Sequence, residues 1–326
     1  MSQLWTERLG DWNPQMVREF KRRLKPPNIL IAVAISLIGQ LLVLICFSSQ
    51  IPTSLPMGEY THTITNRYCT GEANYDAEDT AYYLCVRVTD GSIGINWQVW
   101  WNDVFVGLSI IGIFALLLNG TYLLIADLSK EDRHGTLNFL RLAPQSSVSI
   151  LGGKMLGVPI VLYLMGFLAL PLHLAAGLSG QIPLSLILAY YGVLGVSCLF
   201  FYSAALLFGL VCRWLGGFQA WLGSGAVLLF LCSGLMMFGI HGNGGATKYL
   251  IDWLMLFNPS ILLPYLIGSN SLDPVNASYT LGFRSLSWFY LPIGASTWSL
   301  VGFMVVNYGL WTYWIWQGLR LTECRR

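Results

Sequence analysis

Long apolar runs separated by short polar stretches set the pattern of this chain. Six runs, at 28–50, 100–127, 148–176, 183–212, 217–241 and 297–318, are each long enough to cross about 30 Å of hydrocarbon as a helix. The pattern predicts an all-α polytopic membrane protein with six transmembrane helices. The first run is too long for a signal peptide, starts too late and lacks a small-residue cleavage pattern, so it reads as a retained anchor. Tyr249 to Gly268 is also mostly apolar. It contains Asn258-Pro259, Pro264 and Asp252, which break helices or are expensive in lipid. Two short helices dipping in from the outer face are expected there, between spans five and six.

Ahead of the first span, Asn13 is a good helix cap and Pro14 a good first helical residue. Met16, Phe20 and Leu24 then share a face, while Arg18, Lys21, Arg22, Arg23 and Lys25 give a basic face suited to anionic headgroups. Residues 1–27 are therefore expected to hold an interfacial amphipathic helix, with the six-span unit over 28–326. The connections at 51–98 and 242–296 are long; that at 128–147 is short and polar.

Composition and charge agree. Hydrophobic residues make up 55% of the chain and charged residues 10%, too few charges to cover a soluble protein of this size. With the N-terminus inside, fourteen Lys and Arg fall on inner segments and Arg67, Arg87, Lys248 and Arg284 on outer ones. That bias places both termini and the 128–147 loop in the cytoplasm of a plasma (bacterial inner) membrane. The 51–98 and 242–296 segments then lie outside. Cys69 and Cys85 are the two cysteines of the first outer loop, where an oxidising environment favours a disulfide; two free thiols are the alternative. Tyr82 to Val88 is rich in strand formers.

Chemistry of its own is hard to find, and no catalytic residue is expected. Ser224 and His241 invite comparison with an intramembrane protease, but 17 helical positions separate them by about 25 Å. The four histidines show no metal-ligand spacing, so no metal site is expected. Gly152-Gly153-Lys154 lacks the earlier glycine and the strand of a phosphate loop. Gln40, Asn119, Gln219 and Asn307 are uncharged polar residues within or near spans, where they either bond neighbouring helices or line a pathway. No charge sits mid-span, which disfavours an ion-driven carrier.

The polar island from Lys130 to Pro144 carries the functional reading. Ser129 and Asp132 have the spacing of a capping box, Glu131 and Asp132 would occupy a first turn, and Leu137 and Leu140 would share a face before Pro144. Glu131, Gly135-Thr136-Leu137, Leu140 and Pro144, followed by Gly153-Lys154, resemble the ABC-2 family of transporter permeases. The resemblance implies that the island is a cytoplasmic coupling helix, with Glu131, Gly135, Thr136, Leu137, Leu140, Arg141 and Pro144 meeting a separate cytoplasmic ABC ATPase. It also implies a second permease subunit, identical or related, and export as the usual direction. ATP and Mg would be bound by the ATPase, with no cofactor on this chain and no nucleic acid. The disulfide-sized 51–98 loop departs from the leanest members. The competing reading is a non-transporting scaffold that recruits a partner through the same loop.

Overall fold

A computed structural model describes residues 13–52, 65–75, 81–87, 92–134, 147–241, 254, 256–268 and 292–324. Among the described residues, five stretches are long and apolar enough to cross a membrane: Pro26–Ser48, Trp97–Arg133, Ile160–Ser179, Leu184–Val211 and Arg213–Met236. The chain is a multi-pass membrane protein. We label the helices α1 (Pro14–Arg23), α2 (Pro26–Ser48), α3 (Trp97–Arg133), α4 (Ser147–Gly157), α5 (Ile160–Ser179), α6 (Leu184–Val211), α7 (Gln219–His241), α8 (Leu263–Ile267) and α9 (Thr297–Cys324). Helix α9 has 28 residues but a more aromatic and polar composition, which keeps it out of the five.

The expected third span at 148–176 is not one helix. It breaks at Val158-Pro159 into α4 and α5, because proline has no N–H to continue the helical ladder. Helix α5 alone then provides the crossing. Helix α4 instead pairs with α1 across a glycine face: a Cβ at Gly153 would sit 2.6 Å from Asn13 Oδ1, and one at Gly157 2.6 Å from Glu19 Cβ. Asn13 does two jobs here. Its Oδ1 accepts from Met16 N–H to cap α1, and its Nδ2 donates to Ser149 O at 2.7 Å.

Helix α3 contains a π-helical turn, Phe114–Leu118. Tyr202 of α6 packs on Gly120 and donates its hydroxyl to Leu116 O at 2.8 Å, while Thr121 Oγ1 donates to Leu117 O. Both side-chain donors reach carbonyls of the irregular turn, and Leu116 O also accepts from Asn119 N–H.

At one end of the bundle, strands β1 (Thr65–Asn66), β2 (Ala73–Tyr75) and β3 (Ala81–Leu84) form an antiparallel sheet in the order β1-β3-β2. Cys69 and Cys85 are joined in a disulfide, with their Cα atoms 4.9 Å apart. Asn66 Nδ2 donates to Gln50 O beyond the end of α2, and Arg67 and Tyr68 both reach the Asp103 carboxylate of α3. Burial, and then Asp103, raise the pKa of the Tyr68 hydroxyl, so it stays a donor. The module is thus tied to the first two spans rather than hung on a free loop.

Of the expected outer segment at 242–296, the described part includes a helical turn at Pro259–Leu262 running into α8. It is too short to cross and is buried; Phe257 just before it stacks on Phe200 of α6 and meets Tyr308 of α9. Asn258 caps it and donates to Leu231 O. The rest of 242–253 and 269–291 lies outside the described residues.

Candidate functional site

The opposite end of the bundle carries the polar island, and the structure revises its opening. Residues 128–133 do not start a short helix; they finish α3. Extending an existing helix costs far less than nucleating a new one, and this outweighs the local Ser129–Asp132 pattern. Ser129 makes no cap: its Oγ donates to Gly216 O at 3.1 Å. Glu131 and Asp132 fall in a last turn, where the helix dipole disfavours anions and cations must compensate.

Those cations come from both sides of the island. Asp127 and Glu131 stand four residues apart on one helix face, a like-charge pair that repels unless bridged. The ammonium of Lys154, from α4, bridges them at 2.7 Å to Asp127 Oδ2 and 2.7 Å to Glu131 Oε2. Lys154 is only 1% exposed, and Asp127 and Glu131 are buried with it. Arg22 and Arg23 of α1 converge on Asp127 Oδ1 at 2.7 and 2.8 Å, and both also pair with Glu19 Oε2. Arg18 reaches Glu131 Oε1 at 3.3 Å.

Burial would lower the Arg22 pKa, but its bonds to Asp127 and the charge of Glu19 outweigh this and raise it, so the guanidinium stays charged. Glu19, Asp127 and Glu131 place one oxygen each within 4.8 Å of one another, a spacing that suits a cation. Lys154, Arg22 and Arg23 already supply that charge.

Two stretches singled out in the sequence meet at this junction. Helix α1, expected as an interfacial helix with Met16, Phe20 and Leu24 on one face, buries Gln15, Met16 and the wholly enclosed Glu19. Glu131 is turned inward to Lys154 and Arg18 rather than presented outward as a surface contact. Gly152-Gly153-Lys154 is likewise committed to packing, since Gly153 abuts Asn13 and Lys154 is enclosed by carboxylates. Gly135, Thr136, Leu137, Leu140, Arg141 and Pro144 lie outside the described residues.

A second contact leaves the same helix end on another side. Arg213 pairs with Asp132 at 3.3 Å, from the 3-10 turn Arg213–Phe218 that joins α6 to α7. Gly216 in that turn has φ +56°, a conformation that a side chain would strain. The last turn of α3 therefore touches α1 and α4 on one side and the α6–α7 connection on another.

The four polar span residues separate. Gln40 donates to Ser36 O and Oγ and, at 3.5 Å, to Leu168 O of α5, while Ser36 Oγ donates to Met165 O; this is helix-to-helix bonding. Gln219 and Asn307 are buried. Asn119 is exposed, immediately after the π-helical turn of α3. Ser224, raised by the protease comparison, donates to Ala220 O in its own helix.

Sequence reasoning missed a hydrogen-bonded Ser–His pair, Ser109 and His173, whose Oγ and Nε2 are 2.8 Å apart. Ser109 Oγ also bonds Phe105 O, so His173 Nε2 is assigned as donor and Nδ1 accepts from Tyr191 OH at 2.8 Å. Both Ser109 and His173 are buried, and the set clips α3, α5 and α6 together. Nothing in the spacing of one serine and one histidine 64 positions apart announces such a contact.

Comparison with protein-family models, curated proteins and solved structures returned no match.

Proposed function

We propose that the chain is the permease subunit of an ATP-binding-cassette exporter of the ABC-2 type, with α9 as a sixth span and the island facing the cytoplasm. One observation carries the reading: buried Lys154, after the island, is locked to Asp127, just before it, and to Glu131, at its start. A passive connector needs no such clamp. Burying three charges costs desolvation that only close pairing offsets, so the arrangement has its clearest use where a displaced loop must move the helices at its two ends together.

In this reading Leu137 and Leu140 seat in a groove of a separate cytoplasmic ATPase, which binds ATP and Mg. Closure of the ATPases pushes the island. The push passes through Glu131 and Lys154 to α1 and α4, and through Asp132 and Arg213 to α6 and α7. The pathway lies against a second permease subunit, and Asn119, the exposed polar residue part-way along α3, faces it. The inner membrane and cytoplasmic termini follow from the charge bias.

Co-purification with the co-expressed ATPase tests the proposal. The ATPase should be stimulated by this chain and lose that stimulation when Leu137 and Leu140 are replaced by Asp. A complex that forms but hydrolyses ATP identically with and without those replacements would leave the scaffold reading standing and this one refuted.

A further inference from the structure

The same N-terminal helix that closes the clamp carries more positive charge than the clamp consumes. Three carboxylates, Glu19, Asp127 and Glu131, meet Arg18, Arg22, Arg23 and Lys154. Lys21 and Lys25 are exposed in addition and make no ion pair among the described residues. Among the described residues, six cations thus stand against three anions at this edge of the bundle. Two of the paired ones still face outward, with the side chains of Arg18 and Arg22 53% and 43% exposed.

Directly after this edge the chain enters the first span. Lys25 is extended, Pro26 opens α2, and the first turns of α2 expose Leu30, Ile31 and Ile35 by more than half. An exposed basic edge followed within two turns by an exposed apolar wall has the chemistry of one kind of ligand, a charged head carrying acyl chains.

We infer that Lys21, Lys25 and the outer faces of Arg18 and Arg22 bind the headgroup phosphate of an anionic phospholipid, with its acyl chains along the start of α2. Complementary charge selects the anionic lipid over a zwitterionic one, whose own cation would oppose the surplus. Each Lys or Arg at an anionic surface is worth about fivefold in affinity. Arg22 joins the two sites, because one guanidinium serves Asp127 and Glu19 inside while offering its open side to the phosphate. The clamp is therefore assembled on a lipid. This inference concerns binding alone and stands apart from the export reading.

The test uses the full chain in neutral detergent, titrated with dioleoyl phosphatidylglycerol or dioleoyl phosphatidylcholine, with bound lipid counted by native mass spectrometry. Phosphatidylglycerol should be retained at least tenfold better, and soluble glycerophosphoglycerol should not compete, because it lacks acyl chains. Lys21→Gln with Lys25→Gln should lower phosphatidylglycerol affinity roughly 20-fold. Lys21→Arg with Lys25→Arg should keep it, and so should Arg320→Gln, which removes an exposed cation from the end of α9. Equal retention of the two lipids overturns the inference. So does equal behaviour of the Gln and Arg pairs, or a loss in Arg320→Gln matching the double Gln variant.

Discussion

Lys154 Nζ lies 2.7 Å from Asp127 Oδ2, across 27 positions of sequence that include the whole polar island. The bond joins the last turns of a membrane-crossing helix to a short helix that does not cross. Its worth is lopsided: replacing a buried ion pair as a whole by apolar groups is often neutral, whereas removing one partner strands the other.

Lys154→Met should therefore destabilise strongly, by about 3–5 kcal/mol, because Asp127 and Glu131 lose their shared cation and face each other. Adding Asp127→Asn and Glu131→Gln to Lys154→Met should recover much of the loss. Thermal unfolding of the detergent-solubilised chain measures both. A single variant as stable as the parent would show that the clamp is not held by charge.

The glycine face of α4 gives a matched comparison. Gly157→Ala places a methyl group against Glu19 Cβ, and Gly153→Ala places one against Asn13 and Met16 N. A Cβ at Gly152 meets nothing within 4 Å. The first two should loosen α1, read as a lower melting temperature and faster proteolysis near Arg22 and Arg23. Gly152→Ala should match or slightly exceed the parent, since alanine is the better helix former.

How far the sequence could be read follows from range. The cap at Asn13 with Pro14 behind it is local chemistry, and so is the apolar length of α2, α6 and α7; both were legible. The pairing of Cys69 with Cys85 was reachable because few cysteines compete in that connection. The clamp was not reachable, because Lys154 meets Asp127 and Glu131 only after two helices and a loop have folded back. The Ser129–Asp132 box misled because its four residues fit a helix start equally well inside a continuing helix. Pro159 lies inside a long apolar run, so apolar length alone predicts a continuous span where the missing N–H breaks it.

The disulfide predicts a labelling pattern. In intact cells Cys69 and Cys85 should resist a membrane-impermeant maleimide until a reductant is added. Cys69→Ser with Cys85→Ser should cost about 3 kcal/mol on the chain-entropy account of a loop this size. Labelling without reductant would contradict the bond.

Asn119 and Gln40 should behave oppositely. Gln40→Leu removes the bond from α2 to Leu168 O of α5, together with those to Ser36 in its own helix, and should lower stability by roughly 1 kcal/mol. Asn119→Leu removes an exposed group and should leave the melting temperature of the isolated chain unchanged while altering transport by the complex. A stability loss at Asn119 equal to that at Gln40 would assign it to packing instead.

The π-helical turn at Phe114–Leu118 makes α3 a phased object. One residue more or less in a helix turns everything beyond it by about 100°. A π turn holds one residue more than an α turn, so deleting a single residue there would relax it to ordinary α geometry and keep Asp127 and Glu131 facing Lys154, whereas a deletion in the α-helical stretch beyond it would swing both acids away. A one-residue deletion between residues 119 and 126 should thus be far less tolerated than one between residues 114 and 118. The reading frame of this helix, more than any one of its side chains, aims its acids.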